Sequence, residues 1–350
     1  LWVGILAPGL VDLQVNGGGG LLVGPDTDMA QLAHICATHM ALGACAILPT
    51  LITDHPDVTA RVIAAGVAAM RAGVQGFAGL HLEGPHLAQA RKGAHDPALI
   101  RAMSEADLAL LLRAARELPA LMVTLAPEAA RLEQIRALAQ AGVIVSLGHT
   151  DCTSAQARAA HAAGARAVTH LFNAMSGLQA RAPGLVGAAL STDLRAGIIA
   201  DGVHVAPECL QIALQMKAPD GLFLVSDAMA VAGSTLAEFS LGGRVIRRER
   251  GAQAGRLTLA DGTLAGADIS LPQSLRHLVG LGVAPARALA MASRIPADVI
   301  AAPDRGRIVP GARADLVFLS PGLHLREVWC AGHKLENPNR EGADSPAARP

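Results

Sequence analysis

The feature that most constrains this chain is a regular alternation of short apolar runs with longer stretches of helix formers. Eight runs are β-branched or bounded by glycine, and several end in a polar residue. They cover residues 10–15, 44–51, 76–82, 120–125, 143–147, 167–171, 196–200 and 221–225. The stretches between them, such as 104–118, 128–141 and 154–163, are rich in Ala, Leu, Arg and Glu and carry helical period. Ser104 followed by Asp107 predicts a capping box at one helix start. Strands that alternate with helices imply right-handed βαβ units and a parallel sheet. Eight units favour an α/β fold of the closed (β/α)8 TIM type over a doubly wound open sheet, which is the alternative.

The pattern changes after the eighth run. Residues 235–264 read as short β segments with turns, 271–281 and 284–301 as helix, and 307–335 as β again. The expected organisation is a barrel over residues 8–302 with a β insertion near 235–264. Residues 1–7 and 303–336 would form a small, partly missing β-sandwich, and 337–350 a tail. The first residue is Leu1, and only residues 1–7 precede the PGLVD stretch. A natural N-terminus is therefore expected to be missing, which would leave the strands of 307–335 without partners and with exposed edges.

Composition narrows the function classes. Half of the 350 residues are hydrophobic (51%), enough for a large core. Lys plus Arg and Asp plus Glu number 29 each, so the formal net charge is zero. This argues against nucleic-acid binding through bulk positive charge and against a polybasic membrane surface. Aromatic residues make up 2% and tyrosine is absent, so stacking platforms for bases or long sugar chains are not expected. Cys36, Cys45, Cys152, Cys209 and Cys330 are odd in number and irregularly spaced, which fits a reducing, cytoplasmic compartment and small core residues. No apolar run reaches 18 residues, so no membrane span is expected. The run Gly17–Gly20 lacks the Rossmann fingerprint and reads as a flexible loop.

In a parallel barrel the active site lies at the C-terminal ends of the strands. Those ends carry Asp12, Gln14 and Asn16 on the first run and Glu83 on the third. They carry His149 on the fifth, His170 and Asn173 on the sixth, Asp201 and His204 on the seventh, and Asp227 on the eighth. Glu83, His149 and His170 can converge on one metal ion, since two imidazoles and a carboxylate with an open position are a known catalytic zinc arrangement. Asp227 could then act as general acid and base. The plainer reading is also open: a lone His is commonly a hydrogen-bonded structural residue, and an Asp after a strand commonly caps a helix. His81 alternates with Glu83 and so would face the barrel interior, with packing as its expected role. His34, His39, His55, His161, His277, His324 and His333 read as structural or solvated.

PGLVDLQVNG, HLEGPH, KGAHDP, GHT, THLFNAM, DGVHV, SDAMAVAG and DGTLAG occur in this order from about Pro8 to Lys334. Together they resemble the N-acetylglucosamine-6-phosphate deacetylases of the amidohydrolase superfamily. The resemblance implies a metal-dependent (β/α)8 barrel with a small β-sandwich built from both chain ends, and a homodimer. It implies Glu83, His149 and His170 as metal ligands, Asp227 as catalytic acid/base, and His95 as the residue that touches and polarises the substrate amide carbonyl. It implies substrate contacts at Ala94, Asn173, Ala174, Leu264, Ala265 and Gly266. Arg181, Asp201 and His204 fall on the phosphate side, where residues can come from a neighbouring subunit. Many superfamily members carry His-x-His on the first strand and hold two metals. Here that place is Gln14-x-Asn16, and amides are poor ligands beside imidazole, so one divalent ion is expected, zinc first, with iron or another divalent ion as alternatives.

The expected reaction is metal-dependent hydrolysis of the N-acetyl group of N-acetylglucosamine 6-phosphate to glucosamine 6-phosphate and acetate. The rival readings are another amidohydrolase acting on a different N-acyl amine or cyclic amide, and a catalytically inactive barrel used as a scaffold.

Overall fold

The structure is a computed structural model and describes residues 3–251 and 254–336. Eight parallel strands form one sheet in sequential order. They are Leu10–Val15, Ala44–Ile52, Leu80–Glu83, Leu121–Leu125, Ile144–Leu147, Ala167–Val168, Arg195–Ile198 and Leu222–Leu224. The sheet closes where the end of the eighth strand meets the first: Val15 bridges Ala228, and the Asn16 N–H donates to the Ala228 carbonyl at 2.8 Å. A helix follows each strand: α1 (Met29–Ala41), α2 (Pro56–Arg71), α3 (Glu105–Glu117), α4 (Leu132–Gln140), α5 (Ser154–Ala162), α6 (Gly184–Leu190), α7 (Pro207–Met216) and α8 (Leu271–Gly280). The fold is the (β/α)8 barrel with a smaller sheet that the alternation predicts.

The capping box forms at the start of α3. The Asp107 carboxylate accepts from the Ser104 N–H at 2.9 Å, and the Asp107 N–H donates to Ser104 Oγ at 3.2 Å. Two strands are shorter than their apolar runs. The third starts only at Leu80, because Gly76 (φ 79°) and Gly79 (φ 141°) hold backbone conformations foreign to a strand. The sixth stops at Val168, because the chain turns at His170 (φ 30°) to present site residues. The helix expected over 284–301 is broken at Ser293 into Pro285–Ala292 and Arg294–Val299.

The barrel interior is polar towards the site. His81 faces inward, as its alternation with Glu83 requires. Its Nδ1 lies 3.0 Å from the Leu13 carbonyl and its Nε2 2.7 Å from Thr124 Oγ1. Thr124, Thr169 and Ser146 continue this chain of hydroxyls, each step 2.6 Å. A consistent donor order runs from Ser146 to the Leu13 carbonyl, so each buried polar atom is satisfied.

Two expectations are corrected. The strands near the C-terminus do not lack a partner: Leu316–Leu319 lies between Ile5–Pro8 and Leu325–Cys330 in an antiparallel four-stranded sheet. The few residues before the barrel are enough to supply that strand. The run Gly17–Gly20 is not a free loop. Gly17–Gly18 pairs with Leu21–Leu22, the Gly19 N–H donates to the Ala232 carbonyl at 2.8 Å, and His39 Nε2 donates to the Gly17 carbonyl at 2.8 Å. The glycines are needed for close approach, since a Cβ on Gly17 would lie 2.2 Å from the Leu21 carbonyl oxygen.

Candidate active site

Glu83, His149 and His170 come from the ends of the third, fifth and sixth strands and are all buried. Glu83 Oε1 lies 3.1 Å from His149 Nε2 and 3.0 Å from His170 Nε2, and the two Nε2 atoms are 3.1 Å apart. His149 Nδ1 donates to the Arg91 carbonyl at 2.8 Å, which leaves Nε2 as the lone-pair nitrogen that faces the cluster. Burial alone would raise the Glu83 carboxyl. The His149 and His170 imidazoles packed against it outweigh burial and hold the group well below the ordinary carboxylate range. Burial likewise opposes charge on His170, and the bond to Glu83 raises its affinity for a proton.

The donor set fits a divalent ion. Ligands at about 2.0–2.1 Å from a tetrahedral zinc stand about 3.3 Å apart, close to the spacing of this trio. Two imidazole lone pairs and a carboxylate oxygen aimed at one point need a cation or shared protons. Among the described residues, Asn16 Oδ1 and His170 Nδ1 are buried at this site with no hydrogen-bond partner. His95 also belongs to this neighbourhood. Glu83, His95 and His149 each offer one ligand atom within 4.8 Å of the others, and the His95 and His149 rings meet edge to face at 4.3 Å.

The tautomer of His95 follows from its neighbours. The Thr53 N–H, which can only donate, points at Nδ1 at 3.3 Å, and Thr53 Oγ1 lies 2.8 Å from the same atom. Nδ1 therefore accepts, and the proton sits on Nε2. Burial pushes the His95 pKa down to about 3, so the ring stays neutral.

Asp227 sits at the end of the eighth strand with φ 50°. Its Oδ1 accepts from Asn16 Nδ2 at 2.6 Å and from Gln14 Nε2 at 3.1 Å, so a proton taken up goes to Oδ2. Gln14 Nε2 also lies 3.3 and 3.2 Å from the two Glu83 oxygens, and so bridges the two carboxylates without adding charge. Burial first, and then the Glu83 charge, push the Asp227 pKa up to about 6. A carboxyl poised there can take and return a proton near neutral pH.

A cavity of about 380 Å³ opens above these groups. Glu83, Ala94, His95, His149, His170, Asn173, Ala174, His204, Asp227, Leu264, Ala265 and Gly266 all line it. Asp201 does not line it. It holds His204 instead: Oδ2 is 2.6 Å from His204 Nδ1, and Oδ1 accepts the N–H of Val203 and His204 at 2.8 Å each. Arg181 stands exposed in the loop between Ala174 and α6, outside the cavity lining. The sequence reading did not single out Thr53, Met229, Leu241 or Arg244 around this cavity. Gln14 and Asn16 are expected from the sequence at the end of the first strand, but their hydrogen bonds to Asp227 and Glu83 are visible only in the fold. Left-handed backbone at His149 (47°), His170 (30°), Ala174 (49°) and Asp227 (50°) is costly for non-glycine residues. Such strain gathers at functional sites, and these four of the eight non-glycine positive-φ positions among the described residues line the cavity.

Residues 5–338 match the Amidohydrolase family. This chain belongs to the amidohydrolase family. Amidohydrolases are in general metal-dependent, in keeping with the donor cluster described above. This amidohydrolase is 39% identical over 337 residues to the N-acetylgalactosamine-6-phosphate deacetylase of Shewanella sp. (strain ANA-3), covering 95% of this chain and 83% of that protein. Among solved structures, it superposes on N-acetylglucosamine-6-phosphate deacetylase from Pasteurella multocida with a TM-score of 0.91 at 31% identity, covering 95% and 87% of the two chains. It also superposes on a mutant N-acetyl-D-glucosamine-6-phosphate deacetylase from Mycobacterium smegmatis in complex with N-acetyl-D-glucosamine-6-phosphate. There the TM-score is 0.86 at 35% identity, over 95% and 87% of the chains.

Proposed function

We propose that this amidohydrolase is a metal-dependent deacetylase that converts N-acetylglucosamine 6-phosphate and water to glucosamine 6-phosphate and acetate. The observation that carries the reading is the union of the Glu83–His149–His170 trio with Asp227, a proton-accepting carboxyl held by two amide donors. The deacetylase relatives, which span nearly the whole chain, support the substrate class.

Glu83, His149 and His170 would hold one divalent ion, zinc first by the chemistry of the donor set. When bound, the ion supplies Lewis acidity toward the amide carbonyl and acidifies water. Asp227 takes the proton of the attacking water on Oδ2 and returns it to the leaving amine. His95, neutral with its proton on Nε2, donates to the carbonyl oxygen as negative charge develops there. Asn173, Ala174 and the 264–266 stretch contact the sugar. His204, oriented by Asp201, faces the phosphate. Arg181 lies outside its own chain's cavity, and we assign it to the phosphate of a neighbouring copy in a homodimer. The five free cysteines support a reducing, cytoplasmic setting. Among the described residues no helix is long and apolar enough to cross a membrane.

A second reading concerns one stereocentre. The Shewanella relative carries the galactosamine name, so the 4-epimer is the competing substrate. The test is acetate release from the two N-acetylhexosamine 6-phosphates and from free N-acetylglucosamine, with and without chelator. The expected result is chelator-sensitive turnover with the highest kcat/KM on N-acetylglucosamine 6-phosphate. Higher kcat/KM on the galactosamine epimer would establish the second reading. Equal rates on free and phosphorylated sugar would overturn both.

A further inference from the structure

The cavity has a roof with its own small core. Strands Glu238–Leu241, Arg244–Glu249 and Arg256–Thr258 form an antiparallel sheet outside the barrel. Leu241, Ile246 and Leu257 from that sheet pack with Met229, Val231 and Ala265 in a buried cluster separate from the barrel core. Leu241 and the 263–266 stretch that follows the sheet line the cavity.

Facing the roof is the loop that carries His95. The barrel grips this loop from below at several points. His149 Nδ1 donates to the Arg91 carbonyl, Arg91 pairs with Asp151 at 2.8 Å, and Thr53 holds His95 Nδ1. Gly93 approaches the His149 ring so closely that a Cβ would lie 3.2 Å from Cε1. From above, Arg244 Nη2 donates to the Ala94 carbonyl at 2.5 Å. That carbonyl belongs to the peptide whose N–H, on His95, donates to the Lys92 carbonyl at 3.0 Å. The His95 backbone is thus fixed on one side by its own loop and on the other by the roof.

We propose that Arg244 is a positioning residue for His95, latching the three-stranded roof to the loop that presents this imidazole to the cavity. The latch explains why a cation belongs here: a guanidinium donating to a carbonyl makes a stronger bond than a neutral donor would. Released from Arg244, the Ala94–His95 peptide loses its only side-chain anchor from the roof among the described residues, and the direction of the His95 imidazole then rests on its own loop and on Thr53. This role rests on the deacetylase reading for its effect on rate, though not for the latch itself.

The test uses Arg244→Ala and Arg244→Lys in the full chain, with Arg247→Ala, an exposed residue of the same strand, as control. Amide hydrogen exchange, read on peptides spanning 90–98 and 238–250 without substrate, reports the latch. Exchange in both peptides is expected to rise about tenfold or more in Arg244→Ala and to be partly restored by Arg244→Lys, because one charged hydrogen bond is lost and then replaced. Unchanged exchange overturns the latch whatever the activity. With N-acetylglucosamine 6-phosphate, kcat should fall about ten- to a hundredfold in Arg244→Ala while KM stays within about twofold, since a positioned donor acts in the transition state. A raised KM with kcat intact would make Arg244 a substrate contact and overturn the positioning role. Faster exchange with unaltered kcat would overturn it too. If the wild type turns over neither N-acetylhexosamine 6-phosphate, the deacetylase reading fails, and the exchange result still decides the latch. Matching unfolding midpoints for the variants and the control exclude a general loss of fold.

Discussion

The proton affinity of Asp227 is set by a balance of opposing neighbours. Burial and Glu83 raise its proton affinity, while Asn16 and the nearby histidines lower it. Asp227→Asn keeps the shape, and its side-chain oxygen could still accept from Asn16 and Gln14, but it cannot carry a proton between water and amine. Turnover should fall about a thousandfold, the middle of the range for general acid–base catalysis. Metal content should stay equal to that of the wild type, because the proposed ligands are Glu83, His149 and His170. Near-full turnover in a metal-loaded Asp227→Asn protein would sink the assignment.

The four central residues were legible in the sequence because each ends an apolar run with a polar side chain. The residues that tune them were not. Gln14 and Asn16 read as missing imidazoles, and only the fold shows their N–H groups on Asp227 and Glu83. Arg244 lies 150 residues from the carbonyl it holds, and no local pattern announces that contact. Asp12 is a similar case. Inside the barrel it accepts from the Ser226 N–H at 3.2 Å, and burial pushes its pKa from 3.8 up to about 7. The folded protein then keeps a proton that the unfolded chain releases above pH 4. Stability contributed by Asp12 therefore falls as pH rises from about 4 to 7, by up to about 4 kcal/mol. Neutral buried His39, pushed down to about 4, contributes with the opposite sign over part of that range. Comparing urea unfolding of wild type and Asp12→Asn at pH 5 and pH 7 isolates the aspartate. The variant should gain on the wild type at the higher pH, and a pH-independent difference would contradict the assignment.

Element boundaries depend on such tertiary demands more than on propensity. Helix α3 starts where Ser104 and Asp107 announce it, since a capping box is written in adjacent residues. The sixth strand is only Ala167–Val168, because the following residues turn to place His170 and Asn173, and apolar character alone does not show a left-handed turn. The link between α6 and the seventh strand depends on Lys217, just past the end of α7. Its ammonium donates to the carbonyls of Ala189, Thr192 and Leu194 at 2.9, 2.7 and 2.6 Å. The side chain is almost fully buried, and burial pulls its pKa down, so these three acceptors hold the charge in place. A cation also suits carbonyls at a helix C-terminus. Lys217→Met would fill the space and abandon all three carbonyls. A loss of about 2–4 kcal/mol is expected, read as a lower urea midpoint, since unsatisfied buried acceptors cost more than the bond itself is worth. A midpoint equal to wild type would mean that water replaces the ammonium at no cost.

At the scale of the molecule, chemistry and its mechanical support occupy opposite ends of the barrel strands. The proposed metal ligands Glu83, His149 and His170 and the carboxyl of Asp227 lie at the C-terminal ends. The four-stranded sheet meets the barrel at the N-terminal ends, where Gly9 packs so tightly that a Cβ would lie 2.7 Å from Cys45 Sγ and 2.9 Å from Asp315 Cβ. Asp315 ties the junction together. Its carbonyl accepts from the Gly9 N–H at 2.7 Å, and its carboxylate pairs with Arg305 and Arg313 at 3.1 and 3.0 Å. The sequence suggested that this sheet would be short of partners, because pairing between segments some 300 residues apart leaves no local trace. Ile5–Pro8 instead covers one edge of Leu316–Leu319. Deleting residues 1–8 would expose that edge and remove the buried side chain of Ala7 from the core. The unfolding midpoint should drop on the order of 5 °C, and the shortened protein should aggregate more readily. The first strand rises about 20 Å from Leu10 to Asn16, so the site is remote from the wound. The soluble fraction should therefore keep kcat within about twofold and its full metal content. A loss of metal or of kcat in protein that stays folded would show that the small sheet braces the active site itself, and would join the two ends of the barrel into one mechanical unit.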